Sequence, residues 1–106
     1  TSDAEILALF RYTTQPQADT DELGRLWMRM YEIATSLGML ATEHFEANGT
    51  HLMTYRFPSM HALTAFTSHP EHLALQRRGA EFFATLHTQI CTIGRESEFN
   101  PHPLSH

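Results

Sequence analysis

The sequence predicts an α+β chain of order β-α-β-β-α-β, with four antiparallel strands and two helices on one face of the sheet. Three observations carry that prediction. An apolar stripe at helical spacing runs from Leu23 to Leu37, between Asp19 before it and Gly38 after it. Asn48-Gly49 stands between two strand-like runs, the strongest short hairpin signal a sequence offers. A second amphipathic segment, Ser59 to Leu86, is followed by another strand-like run.

The first strand spans Glu5 to Thr14. Ile6, Ala8, Phe10 and Tyr12 fall on one face, and Leu7 and Leu9 on the other, so both faces want cover. Gln15 to Asp19 is a turn. The first helix follows, with Asp19 as cap and Glu22 three residues on. Leu23, Leu26, Trp27, Met30, Ile33, Ala34 and Leu37 form its buried stripe, and Gly38 suits the left-handed position that closes a helix.

Strands follow at Met39 to Ala47 and Thr50 to Phe57. A two-residue turn at Asn48-Gly49 pairs Phe45 with Leu52, His44 with Met53 and Thr42 with Tyr55. Ser59 caps the second helix region, and Ser68-His69-Pro70 restarts it, because proline is tolerated at the first helical position. Leu75, Gly79, Phe82 and Leu86 make its stripe, widened by Leu73, Ala80 and Phe83. Thr88 to Arg95 is the fourth strand. This order is the ferredoxin-like, or split βαβ, arrangement. Its bare sheet face predicts a partner, and a two-fold homodimer supplies one with a single chain.

At 106 residues the chain forms one domain, 1–99, with a C-terminal tail at 100–106. The net charge is -5, and the seven basic residues, all arginine, are scattered, so no nucleic-acid footprint is present. The acidic balance also argues against anionic membranes. No apolar run approaches the roughly 20 residues of a membrane span, and no signal-peptide pattern opens the sequence. A single cysteine, Cys91, excludes an internal disulfide and fits a cytoplasmic setting.

Chemistry-bearing side chains fall in two groups. His69 and His72, three apart, share the start of a helical segment with Gln76. His44 and Tyr55, on paired strands, face the first helix with Trp27 or Tyr31. Phe66 and Phe83 add apolar wall. Such a pocket suits a flat aromatic ligand. His69 also stands where a helix cap belongs. No metal set is complete, since a zinc site wants three or four ligands. Phosphate loops and G-x-S-x-G are absent.

Phe57, Ser59, Ala62, Leu63, Phe66, His69, Glu71, His72, Gln76 and Gly79 resemble the pattern of the antibiotic biosynthesis monooxygenase family, in the dimeric α/β-barrel superfamily. The resemblance spans Glu5 to about Phe99. It implies a homodimer and a small monooxygenase without a bound cofactor, acting on an aromatic or quinol-like molecule. There a deprotonated substrate passes an electron to O₂, and the protein supplies a base, His72 or His44, and a dry aromatic cavity. The same scaffold also carries non-catalytic small-molecule-binding or stress-response proteins. Haem-degrading relatives carry a histidine where this chain has Gln76, and Gln cannot replace it as axial ligand. Arg56 and Phe57 stand where cofactor-free oxygenases carry Asn and Trp.

Overall fold

The computed structural model describes residues 4–93. Eight elements follow in order: β1 (Ile6–Thr14), α1 (Thr20–Ser36), β2 (Ala41–Ala47), β3 (Thr50–Phe57), α2 (Met60–Thr67), α3 (Pro70–Arg77), α4 (Gly79–Phe82) and β4 (Phe83–Thr92). The strands form one open antiparallel sheet in the order β2-β3-β1-β4. This is the ferredoxin-like architecture. The domain boundary after residue 99 and the tail at 100–106 lie outside the described residues.

Local chemistry sets the element ends. Asp19 accepts the Glu22 N–H at 3.0 Å and starts α1. At its other end, Gly38 (φ 97°) donates to the Thr35 carbonyl, and Met39 donates to that of Ala34. This pair of bonds is a Schellman closure, which needs the left-handed conformation glycine adopts freely. Asn48 (φ 53°) and Gly49 (φ 82°) form the tight turn of the β2–β3 hairpin. His44 pairs with Met53, Phe45 with Leu52 and Thr42 with Tyr55, as the turn type requires.

The core lies between one sheet face and the helices. Ile6, Ala8, Tyr12, Met53, Tyr55 and Phe57 enter it from the strands. Leu23, Met30, Ile33 and Ala34 of α1, Ala62, Leu63 and Phe66 of α2, Leu75 of α3 and Phe82 of α4 close over them. On the opposite face Leu7, Leu9 and Leu52 are half-buried, and Phe45 is exposed.

The second helix region departs from expectation. It is three short helices and ends at Phe82, not Leu86. Phe83 and Leu86 belong to β4, which begins five residues earlier than the predicted Thr88. The helical spacing of Phe82, Phe83 and Leu86 is overridden by pairing. β1 presents its whole length to β4, from Ile6 opposite Thr92 to Thr14 opposite Phe83. The Gln15 N–H then donates to the Phe82 carbonyl at 2.8 Å, and the Gln15 side chain to that of Phe83 at 3.2 Å. Arg78 joins Glu22 of α1 at 2.9 Å and Glu81 at 3.0 Å, and its guanidinium lies 5.0 Å from the Phe82 ring centre.

Candidate active site

Because α3 and α4 stand over β4 without filling the space beneath them, a cavity of about 300 Å³ remains. Phe10 and Thr88 are paired on β1 and β4, and with Leu86 they form its floor. Trp27 of α1 and Phe66 of α2 form the inner wall. His72, Leu75 and Gln76 of α3, then Gly79 and Phe83, complete the lining. Four aromatic rings surround a space whose polar lining residues are His72, Gln76 and Thr88. None of the lining side chains is an acid, a lysine or an arginine.

The rings are interlocked. Trp27 packs between Phe10, Tyr12 and Phe83, with ring centres 6.2, 5.7 and 6.2 Å away. Phe66 touches Tyr55 and Phe57 at 5.5 Å each and meets the His72 ring edge-on at 4.7 Å. Such tilted and edge-on contacts suit the ring quadrupoles.

Two buried polar atoms on this wall have no partner: Trp27 Nε1 and His72 Nδ1. An unmade buried hydrogen bond is costly, so each of these atoms calls for a partner. His72 is half-buried, and its pKa lies below the ordinary 6.5. Burial is the main cause; the Thr67 backbone opposes it, and the charge of His69 adds to it. Its imidazole is therefore mainly neutral near pH 7 and able to accept a proton.

A second depression, also about 300 Å³, is a more open groove between α1 and β2. Trp27, Met28 and Tyr31 line it from α1, and Thr42, His44, Met53 and Tyr55 from the sheet. Burial pushes the Tyr55 phenol up to about 12, so it stays protonated. Burial likewise raises the Tyr12 phenol; the Trp27 N–H nearby, short of bonding geometry, holds it down in part, and Glu46 adds to the rise.

The structure thus separates the sequence candidates. Trp27, Phe66, His72, Gln76 and Phe83 meet at the first cavity. Tyr31, His44 and Tyr55 meet at the groove, and only Trp27 touches both. His69 lines neither: it caps α3, with Nδ1 accepting the Glu71 N–H at 3.1 Å. Sequence reading missed Phe10, Leu75 and Thr88 as lining residues. It also missed His51, whose Nδ1 lies 2.9 Å from His44 Nε2 while its ring stacks on Tyr12 at 4.8 Å. The hairpin register held that signal, because His51 sits opposite Glu46, diagonal to His44. Among the described residues, no group of three His, Cys, Asp or Glu is placed to hold a metal ion, and no helix is long and apolar enough to cross a membrane.

No family model and no curated protein matches the chain. Solved structures do. Rv0793 from Mycobacterium tuberculosis superposes with a TM-score of 0.73 at 15% identity, covering 90% of this chain and 100% of that one. SnoaB, a cofactor-independent oxygenase from Streptomyces nogalater, gives 0.72 at 11% identity, over 91% and 99% of the two chains. A dabb family protein with a ferredoxin-like fold from Mesorhizobium loti gives 0.66 at 16%, over 88% and 100%. At these identities the likeness establishes a shared fold.

Proposed function

We propose that this protein is a small cofactor-independent monooxygenase of the antibiotic biosynthesis type, acting on an aromatic or quinol-like molecule held beneath α3. The observation that carries the reading is His72: a half-buried imidazole of lowered pKa on the wall of a cavity lined by four aromatic rings. The fold shared with SnoaB supports it.

The chemistry asks little of the protein. A phenol or an activated ring CH₂ packs between Trp27, Phe66 and Phe83. His72 takes a proton and leaves an electron-rich anion, stabilised by delocalisation in the substrate itself. That anion reduces O₂. One oxygen atom enters the substrate as a carbonyl replacing the CH₂, and the other leaves as water. The apolar wall keeps water from quenching the anion. Gln76 and Thr88, on the same lining, supply polar partners for a substrate oxygen. His44, across the Trp27 wall, takes no part in this step.

The far sheet face completes the proposal. Leu7, Leu9, Leu52 and Phe45 share that face with Arg11, Glu43, Arg56 and Gln89, and a second copy covers this mixed surface as a homodimer. A cytoplasmic setting belongs with the same reading. The test is oxygen uptake with quinols and polyphenols near neutral pH. Uptake by the wild type that is lost in His72→Ala supports the proposal. Tight binding of the same compounds without uptake assigns the cavity to a non-catalytic binding protein instead.

A further inference from the structure

We infer that α3 is a hinged outer wall of the cavity, latched to α1 by two ion pairs that control how fast a ligand passes in and out. The inference concerns access and holds whether or not chemistry follows.

Both ends of α3 are joints. Ser68 closes α2, and His69 is extended (φ -63°, ψ 137°). Pro70 has no N–H, so it cannot continue the hydrogen-bond ladder from α2. At the far end Arg78 leaves helical geometry (φ -95°, ψ 6°) before α4 begins. Between these joints α3 fully buries one side chain, Leu75, whereas α1 buries four and α2 three. A segment with so little buried apolar surface opens at low cost.

Charge holds it in place. Arg29 of α1 grips Glu71 with two bonds, Nε to Oε1 at 2.8 Å and Nη2 to Oε2 at 2.7 Å. Glu71 directly precedes His72. At the other joint Arg78 reaches Glu22 of α1 at 2.9 Å. The two pairs bracket the face of α3 whose His72, Leu75 and Gln76 line the cavity. The Arg29–Glu71 pair is about half exposed and the Arg78–Glu22 pair about one third, so each is modest and open to screening by salt. A modest latch is the kind that opens often enough to admit a ligand.

Trp27 is the sole tryptophan and lines both the cavity and the α1–β2 groove, so the salt-dependent part of its quenching, above the constant share from the groove, reports access without a label. The experiment measures acrylamide quenching of Trp27, and stopped-flow binding of N-phenyl-1-naphthylamine, an uncharged aromatic probe. Salt is varied from 0.01 to 1 M, where the Debye length falls from about 30 Å to about 3 Å. In the wild type both rates rise with salt. In Glu71→Gln with Glu22→Gln they are already roughly three- to tenfold faster at low salt and no longer respond to it. The exchange Arg29→Glu with Glu71→Arg restores slow, salt-sensitive access, which separates a latch from a folding defect. Equal rates and equal salt response in wild type and Gln variant would overturn the inference. Quinol turnover in the same proteins tests the enzymatic reading separately.

Discussion

The His72 imidazole meets the Phe66 ring edge-on, with centres 4.7 Å apart and planes at 65°. Phe66 is 1% exposed and packed into the core through Tyr55 and Phe57. The proposed base therefore leans on the aromatic core, although its own helix buries only Leu75. That contact also excludes water from one side of the imidazole, which is why the ring prefers to be neutral.

The pH dependence follows from that preference. A base must be unprotonated, and burial holds the His72 pKa below 6.5. The kcat/KM profile should stay level through pH 7 and drop only as pH falls through a value under 6.5. Linkage gives stability the same sign. Below 6.5 the unfolded chain binds the proton before the native state does. The contribution is complete above 6.5 and is lost as pH falls toward the native value. An acid limb centred above 6.5 removes His72 from the base role.

Substitution separates the two histidines. His72→Ala should lower turnover by roughly 10²-fold or more, the usual worth of a positioned base. His44→Ala should leave it within about twofold, because His44 lies in the other groove and is hydrogen-bonded to His51. Steady-state oxygen uptake by both variants distinguishes them; a large loss in His44→Ala would move the chemistry to the α1–β2 groove.

How far the sequence could be read depended on the range of the interactions. The hairpin register was legible because Asn48-Gly49 fixes it locally. The caps at Asp19, Ser59 and His69 were legible for the same reason. The start of β4 was not, because Phe83 and Leu86 satisfy helical spacing, and only pairing with β1 decides against it. The Arg78–Glu22 pair was not legible either, because the two residues are 56 apart in the chain. Five of the nine candidate site residues gather at one cavity; the others divide between the groove and the α3 cap. Sequence faces show which residues point toward helices, not which space the helices leave empty.

Phe66→Ala tests the wall itself. The ring is fully buried among Tyr55, Phe57 and His72. Its removal should cost about 3–5 kcal/mol in urea unfolding. A loss under about 1 kcal/mol would mean that the neighbouring rings collapse into the gap, and that the wall is softer than its packing implies.

The homodimer has a direct test in mass. Sedimentation equilibrium should give about twice the 12.1 kDa of the chain. Phe45 is 52% exposed on the far sheet face. Placing a charge there, as Phe45→Asp, should weaken association without unfolding the monomer. A wild-type protein that stays monomeric at micromolar concentration removes the face-to-face arrangement.

Two glycines, one inside α1 and one just past its end, should respond to alanine in opposite directions. Gly24 lies inside the helix, and an added Cβ meets nothing within 4 Å. Gly24→Ala should therefore stabilise by about 0.5–1 kcal/mol, by removing backbone freedom from the unfolded chain. At Gly38 space is again not the obstacle: the nearest contact of a Cβ is Pro58 Cγ at 3.7 Å. The conformation is, because φ 97° lies where an L side chain is strained. Gly38→Ala should cost about 1–2 kcal/mol. Thermal melts of the two single variants and the double variant check the pair. The effects should add in the double variant, since the sites are 14 residues apart and share no contact. A neutral Gly38→Ala would mean that the helix end rearranges to a closure that needs no left-handed residue, and the entry of the chain into β2 would shift with it.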